Sequence, residues 1–169
     1  MKVKVKVPAT SANLGPGFDV AGLALTLYNT FTFELNEGGL NITGCPTQFC
    51  NEENLTYQAF SQAAQSCGLD FKGVNIHCES QVPYTRGLGS SSTCIVAGIV
   101  GAFAFKDKTD DRQEILELAT KLEGHPDNVA PAIFGGLTVS VMEDEQVLTL
   151  NVHVKHAYRF VDLIPQFTL

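Results

Sequence analysis

The chain has 169 residues, of which 44% are hydrophobic and 17% are charged. These values predict one soluble globular domain large enough to bury a core, and they exclude a disordered chain. The formal net charge of −7 argues against a nucleic-acid surface, because such a surface needs clustered lysine and arginine. Any site for an anion must therefore create its positive field locally.

The five cysteines form no Cys-x-x-Cys pair and have no histidine at zinc spacing, so we predict reduced structural thiols. The N-terminus alternates lysine with valine instead of presenting a signal peptide. The longest apolar run, residues 94–105, is shorter than the roughly 20 residues of a membrane span. We expect a cytoplasmic protein with no membrane and no nucleic acid among its partners.

The first part of the chain predicts strands. Residues 2–7 alternate lysine with valine, which is typical of a strand with one buried face, and Pro8 is expected to end it. Residues 27–35 predict a second strand and residues 40–43 a shorter third one. The three strands suggest a β-meander.

The second part predicts helices with intervening strands. An apolar stripe over residues 51–67, stopped by Gly68, predicts a helix, and residues 74–82 predict a strand. Residues 91–105 are apolar on every side, which predicts a central buried helix. Helices are also expected at 113–123, with Ile115, Leu118, Ala119 and Leu122 inward, and at 126–132. Strands are expected at 137–142, 146–152 and 158–164, which makes the chain α+β.

A glycine-rich turn joins the 74–82 strand to the apolar helix, and it reads Val-Pro-Tyr-Thr-Arg-Gly-Leu-Gly-Ser-Ser-Ser over residues 82–92. Glycine lets backbone N–H groups converge on an anion, and the following helix directs its positive end to the same point. A Walker loop is excluded because no lysine lies between Cys78 and Phe105, and Ser92 replaces the third glycine of a dinucleotide fingerprint. A serine-capped buried helix after a tight turn is the alternative.

Three segments, in order, resemble the GHMP small-molecule kinases. The first is Pro-Ala-Thr-Ser-Ala-Asn-Leu-Gly-Pro-Gly-Phe-Asp at 8–19, the second is the glycine-rich turn, and the third is Glu-Gly-His-Pro-Asp-Asn-Val-Ala-Pro-Ala at 123–132. The wording of the first and third is most similar to the branch of the family that phosphorylates L-homoserine.

The resemblance implies a ribosomal protein S5 domain 2-like α/β sandwich, with helices on one face of a mixed sheet. It also implies that residues 1–156 form an ATP-binding N-terminal domain and that residues 157–169 begin a second, truncated domain. We therefore expect an incomplete enzyme of doubtful activity by itself, an apolar exposed edge near residues 160–169, and a homodimer for the full-length protein.

The resemblance assigns ATP and Mg²⁺ as cofactors. The backbone of the glycine-rich turn would hold the phosphates, and Ser91 and Glu123 would bind the metal, since hydroxyl and carboxylate oxygens suit a small dication. The expected nucleotide-binding residues are Pro83, Tyr84, Thr85, Arg86, Gly87, Leu88, Gly89, Ser90, Ser91 and Ser92. From the residues alone, a solvated carboxylate at a helix end is the favoured interpretation of Glu123, and the resemblance of its segment reverses that preference.

The substrate-binding residues implied by the resemblance are Asn13, Asp19, His125 and Asn128. Asn128 and Glu123 are the expected catalytic residues, and Asn128 would present an amide to the reacting hydroxyl where relatives use a carboxylate base. Asp127 is a carboxylate that could orient His125. Taken singly, Asn13 and Asp19 could be turn formers, Asn128 a helix-start residue and His125 an ordinary loop histidine.

The function that the resemblance implies is ATP-dependent phosphorylation of the side-chain hydroxyl of L-homoserine to O-phospho-L-homoserine, a step of threonine biosynthesis. Two alternatives remain open. One is a kinase of the same family for mevalonate, shikimate or diphosphocytidyl-methylerythritol. The other is a non-catalytic module of this fold, which also occurs in ribosomal and topoisomerase proteins.

Overall fold

The computed structural model describes residues 1–144, 146–155 and 161. Its six strands are β1 (Lys2–Ala12), β2 (Ala21–Asn36), β3 (Leu40–Thr43), β4 (Gly73–Glu79), β5 (Leu137–Glu143) and β6 (Gln146–Val152). Its helices are α1 (Leu55–Cys67), α2 (Ser90–Ala104), α3 (Arg112–Glu123) and α4 (Pro126–Phe134), with a short 3-10 helix at Thr47–Phe49. None of the helices within these described residues combines the length and apolar character that crossing a membrane requires.

The strands form one mixed sheet in the order β3-β4-β2-β5-β6, with β1 also paired to β2. The long strand β2 organises the sheet, because it pairs antiparallel with β1, β4 and β5 along different parts of its length. Strand β3 pairs in parallel with β4. The predicted meander is therefore wrong: β3 lies beside β4 and not beside β2.

Strand β1 carries the chain past Pro8 toward the turn that follows Ala12. Val3, Val5 and Val7 are buried and the lysines between them are exposed, as the alternation predicted. The strand nevertheless continues to Ala12 through a shift in register between Pro8 and Thr10. A proline is tolerated at such an irregularity because its missing N–H leaves no ladder bond broken. The prediction that Pro8 ends the strand is wrong.

Helix α2 is the central helix, as its apolar composition predicted, and it contacts β1, α1, α3 and α4. Ile99 and Phe103 are fully buried there. Helix α1 begins later than expected because the Asn54 side chain accepts hydrogen bonds from the N–H groups of Thr56 and Tyr57. On α3 the prediction erred by part of a turn: Leu116 is buried, whereas Leu118 and Leu122 are half-buried.

Helix α4 lies almost in contact with β2. A Cβ atom on Gly22 would overlap the carbonyl oxygen of Asp127 and lie 2.8 Å from Pro131 Cγ. The absence of a side chain at this position lets the first turn of α4 approach the sheet. This contact holds α4 against β2, the strand to which the last part of β1 is also paired.

Three expectations fall outside the described residues, apart from position 161. They are the strand at 158–164, the domain boundary near residue 157 and the apolar edge near residues 160–169. These three expectations remain predictions.

Candidate functional site

The glycine-rich turn, residues 82–92, is called the glycine loop below. Thr85, Gly87 and Gly89 have φ angles of +53°, +71° and +63°. Left-handed residues spaced in this way turn backbone N–H groups inward and form an anion-binding concavity. Thr85 is not a glycine, so its left-handed conformation is strained and must be held by its surroundings.

Two apolar side chains fix the glycine loop to the sheet. Val82 and Leu88 are buried in a small cluster with Ala9 of β1. The N–H of Thr10 donates to the carbonyl oxygen of Leu88 at 3.1 Å. The middle of the loop is thus attached to the end of β1 on both its apolar and its polar side.

Asn29 joins the start of the glycine loop to helix α2. Its Oδ1 accepts from the N–H groups of Gln81 at 2.8 Å and Val82 at 2.9 Å, and its Nδ2 donates to Thr93 Oγ1 at 2.9 Å. Asn29 is 2% exposed. Sequence reasoning missed this residue, although its place two residues before Phe31, on the same face of the strand as Phe31 and Phe33, was the available signal.

The N-terminus of α2 is left open at the glycine loop. Its N-cap is Gly89, which provides no side-chain hydrogen bond, whereas α1 and α3 are capped by Asn54 and Asp111. The Thr93 N–H bonds back to the Gly89 carbonyl at 3.0 Å, so the N–H groups of residues 90–92 belong to the unpaired first turn. Such a turn, with the positive end of the helix behind it, favours a phosphate.

Glu123 meets the first turn of α2 from the end of α3. Its Oε1 accepts hydrogen bonds from the Ser91 and Ser92 hydroxyls, each at 2.8 Å. Ser92 is buried, whereas Ser91 is half-buried. Among the described residues, no three His, Cys, Asp or Glu side chains are grouped closely enough to hold a metal ion by themselves. One carboxylate and one hydroxyl suit Mg²⁺, which keeps several waters and takes further oxygens from substrate phosphates.

A hydrogen-bonded group lies at the start of α4. The Asp127 carboxylate is 1% exposed, and its Oδ1 contacts His125 Nδ1 and lies 3.4 Å from Asn128 Nδ2. The Asn128 Oδ1 accepts from Thr10 Oγ1 at 2.8 Å. Asp127 therefore orients both predicted substrate residues, and Thr10 is a further member that sequence reasoning missed.

A cleft of about 320 Å³ lies between the glycine loop and the end of β1. Its lining residues are Ala12, Asn13, Thr85, Arg86, Gly87, Leu88, Gly89, Ser90, Ser91 and Asn128. The structure thus brings most of the predicted nucleotide residues together with Asn13 and Asn128. Pro83, Tyr84, Ser92, Glu123, His125 and Asp19 do not line this cleft within the described residues.

Asn13 and Asp19 shape the turn after β1. The Asp19 N–H donates to Asn13 Oδ1 at 3.0 Å, and both residues have positive φ angles. Asp19 is exposed and Asn13 is half-buried at the cleft. These contacts match the turn-forming role considered from the sequence, and they leave Asp19 at the outer edge of the site.

Two ionisable groups beside the helix N-terminus stay neutral at physiological pH. Burial raises the pKa of Tyr84, against the opposing effect of a hydrogen bond with Ser80. Burial also raises the pKa of the Cys94 thiol, in the second turn of α2. Neither group therefore places a negative charge where an anion would bind.

A larger cleft of about 390 Å³ lies between α3 and the β5–β6 hairpin. Glu114, Glu117 and Asp144 are among its lining residues. Its acidic lining disfavours an anionic ligand, and it contains no glycine-rich turn. The smaller cleft at the glycine loop is the better candidate for the functional site, because its backbone chemistry suits phosphate.

Comparisons with known proteins agree with this geometry. Residues 54–136 match the family profile described as the GHMP kinases N terminal domain. A curated homoserine kinase from Clostridium beijerinckii is 47% identical over 168 residues, covering 99% of this chain and 56% of that protein. The chain therefore spans about half the length of this curated relative.

Two solved structures show the same fold. The homoserine kinase from Cytophaga hutchinsonii superposes with a TM-score of 0.75 and 27% identity, over 89% of this chain and 51% of that one. The mevalonate kinase from Methanococcus jannaschii superposes with a TM-score of 0.71 over 92% of this chain and 57% of that one. At 14% identity, the second likeness is evidence for the fold alone.

Proposed function

Because this chain is a GHMP-family homologue of homoserine kinases, with the α+β fold of the GHMP kinase N-terminal domain that its sequence predicted, we propose that it supplies the nucleotide-binding part of a kinase. The reaction is transfer of the γ-phosphoryl group of ATP to the side-chain hydroxyl of L-homoserine. Residues 1–156 form the N-terminal domain of that enzyme, and its second domain begins near residue 157. The complete enzyme is a homodimer.

The observation that carries this proposal is the uncapped N-terminus of α2 behind the glycine loop. The backbone N–H groups of residues 86–92 bind the β- and γ-phosphates, and the helix dipole adds to their field. Arg86 is the one basic residue of the loop. On a chain of net charge −7, this local field is what makes a polyphosphate site possible.

Ser91 and Glu123 are the proposed ligands of Mg²⁺. Their oxygens already converge at 2.8 Å, at the open end of α2. The metal, when bound, neutralises charge on the phosphates. Glu123 also holds the Ser92 hydroxyl, so it fixes the first turn of the helix in the orientation that the phosphates need.

The acceptor lies between the glycine loop and the start of α4. Asn128 lines the cleft with its Oδ1 bonded to Thr10, and its side-chain amide contacts the acceptor hydroxyl. An amide cannot take up a proton at neutral pH, so Asn128 acts by positioning and not as a base. Catalysis then depends on alignment and on the preorganised dipoles of the glycine loop.

His125 and Asp19 recognise the amino-acid end of the substrate. Because the Asp127 carboxylate can only accept, the His125 nitrogen that contacts it is Nδ1–H, and in the neutral imidazole Nε2 is the acceptor. Nε2 can therefore accept from the substrate ammonium. Asp19, at the outer edge of the site, attracts the same ammonium by charge. An uncharged alcohol such as a sugar would gain nothing from the charge of Asp19.

The test has two parts. Mg-ATP should raise the thermal unfolding temperature of the chain, because a ligand of the folded state stabilises it. In the longer protein that contains the second domain, ADP release should depend on L-homoserine and should be absent with mevalonate or shikimate. ADP release with another alcohol would indicate a different kinase of the family. No protection by Mg-ATP would indicate a non-catalytic module.

A further inference from the structure

Two thiols beside the site lie in contact. The Sγ atoms of Cys45 and Cys50 are 3.5 Å apart, and the two residues flank the short 3-10 helix Thr47–Phe49. Both are half-buried, and the Cys50 thiol also lies 3.8 Å from the Cys45 carbonyl oxygen. The short helix therefore folds the chain back on itself and brings together the sulfur atoms of two residues that are five positions apart.

Two further cysteines lie near this pair: after burial, the charge of Cys94 is among the causes that raise the pKa of Cys45, and the charges of Cys45 and Cys50 are among those that raise the pKa of Cys78. These cysteines do not form a metal site, because no three His, Cys, Asp or Glu side chains among the described residues are grouped closely enough to hold a metal ion. All five cysteines are free thiols in this structure. The chemistry left to the contacting pair is oxidation to a disulfide.

We propose that Cys45 and Cys50 form a thiol–disulfide site, at which a low-molecular-weight disulfide oxidises the pair. The Cys50 thiolate attacks one sulfur of the reagent, RSSR, and forms a mixed disulfide while RS⁻ leaves. The Cys45 thiolate then attacks the Cys50 sulfur and displaces the second RS⁻. Two protein thiols lose two electrons, and RSSR is reduced to two RSH.

The order of attack follows from the surroundings of the two sulfurs. Burial, followed by the hydrogen bond and the charge of Cys50, raises the pKa of Cys45 to about 11. Cys45 is therefore a poor first nucleophile near neutral pH. Once Cys50 is in a mixed disulfide, its thiol hydrogen bond and its thiolate charge no longer act on Cys45, whose pKa then falls. The second step is also intramolecular, which favours it over attack by a second reagent molecule.

The same segment contacts the glycine loop. The rings of Phe49 and Tyr84 pack with their centroids 6.5 Å apart. Phe49 stands next to Cys50, and Tyr84 belongs to the glycine loop. A bridge between residues 45 and 50 restricts the backbone that carries Phe49, and it thereby couples the thiol state of the pair to the conformation of the glycine loop.

The proposal is tested by treating the folded chain with oxidised glutathione and mapping its peptides by mass spectrometry. We expect loss of two thiols and a Cys45–Cys50 link, reversed by dithiothreitol. Cys45→Ser should trap glutathione on Cys50, Cys50→Ser should protect Cys45, and Cys67→Ser, at a buried position of α1, should behave like the parent chain. A lasting mixed disulfide on the parent chain, or linkage of Cys50 to Cys78 or Cys94, would overturn the proposal. So would unchanged thiols in the folded chain when the denatured chain is oxidised.

Coupling to the glycine loop has its own readout. Titration with Mg-ATP should give dissociation constants that differ by at least about twofold between the reduced and bridged chains, and Cys45→Ser without glutathione should match the reduced chain. Equal constants would overturn the coupling. The peptide map does not depend on ATP, so a failure of the proposed kinase function would leave the disulfide result intact and distinguishable.

Discussion

The Ser91 hydroxyl lies 2.8 Å from Glu123 Oε1, although the two residues stand 32 positions apart. The contact joins the first turn of α2 to the last turn of α3. It brings the N-terminus of α2, with its open N–H groups, to Glu123. Among the described residues, Glu123 is the only carboxylate that accepts hydrogen bonds from the serine hydroxyls of this first turn. The geometry separates two roles: Ser92 is buried and supports the turn, whereas Ser91 lines the cleft.

Glu123→Gln and Ser91→Ala test the proposed metal ligands. Glutamine retains an oxygen that can accept from both serines, so the fold should persist, but the charge that attracts Mg²⁺ is lost. We expect the Mg²⁺ concentration needed for half-maximal protection by ATP to rise about tenfold or more in either variant. Isothermal titration at several Mg²⁺ concentrations measures this rise.

Glu117→Gln is the control for that experiment, because Glu117 is an exposed carboxylate on the same helix. It should leave the Mg²⁺ dependence unchanged. If Glu123→Gln behaved like this control, Glu123 would be a structural residue only and the proposed metal ligation would be wrong.

Asn29→Ala should destabilise the chain by about 2–4 kcal/mol, because it removes the acceptor of two loop N–H groups and the donor to Thr93 in a buried site. Chemical denaturation measures this loss. The folded fraction of Asn29→Ala should also bind ATP more weakly than the parent chain. Asn41→Ala, at an exposed residue with one bond of 3.3 Å to Asn75, should change stability by less than about 0.5 kcal/mol. Equal effects at both positions would contradict the role assigned to Asn29 in joining the glycine loop to α2.

Local sequence patterns were sufficient to predict most elements of this fold. The apolar helix α2, the break at Gly68 and the strands β3 and β6 depend on composition and periodicity within a few turns, which the sequence displays directly. The glycine loop was also readable, because its glycines and serines are adjacent along the chain.

Contacts between distant segments were not predictable in the same way. The parallel pairing of β3 with β4, the register shift that carries β1 past Pro8, and the hydrogen bonds of Asn29 and Thr10 join residues far apart in sequence. Nothing in the local composition encodes which strand is the neighbour. Sequence reasoning therefore missed the roles of Asn29 and Thr10, whereas the meeting of Ser91 with Glu123 was expected only from the resemblance of their two segments to a known family.

Gly89→Ala should remove ATP binding and destabilise the chain. Gly89 has a φ of +63°, and a Cβ there would overlap Thr10 Oγ1, which bonds Asn128. Gly68 has a φ of +68° with nothing within 4 Å of its Cβ position, so Gly68→Ala isolates the cost of the backbone conformation. We expect about 1 kcal/mol for Gly68→Ala and about 1–3 kcal/mol more for Gly89→Ala. Thermal unfolding with and without Mg-ATP measures both, and equal losses of stability would show that the overlap is harmless.

Asp127→Asn should impair use of the acceptor while leaving the nucleotide site intact. Asparagine keeps an oxygen in the place of Asp127 Oδ1, which contacts both His125 and Asn128, but it lacks the charge of the carboxylate, so both side chains are held less firmly. Misplacement of reacting groups by about 1 Å can cost about a hundredfold, and we expect kcat/KM for the acceptor in the full-length protein to fall by about tenfold to a hundredfold. Thermal protection of this chain by Mg-ATP should be unchanged, because the hydrogen bonds of Asp127 within the described part of the chain go to His125 and Asn128 and not to the glycine loop.

Two readouts separate this positioning role from a general loss of stability. Nitrogen-15 NMR of His125 should show the protonated Nδ1 tautomer in the parent chain and a mixture of tautomers in Asp127→Asn. Glu114→Gln, which removes an acidic residue from the first turn of α3, controls for the helix dipole and should cost less than about 1 kcal/mol with no change in acceptor use. Two outcomes would show that Asp127 contributes to folding alone: loss of the thermal protection by Mg-ATP together with the fall in kcat/KM, or an unchanged His125 tautomer in Asp127→Asn. In either case, the assignment of His125 and Asn128 to the acceptor would lose its support.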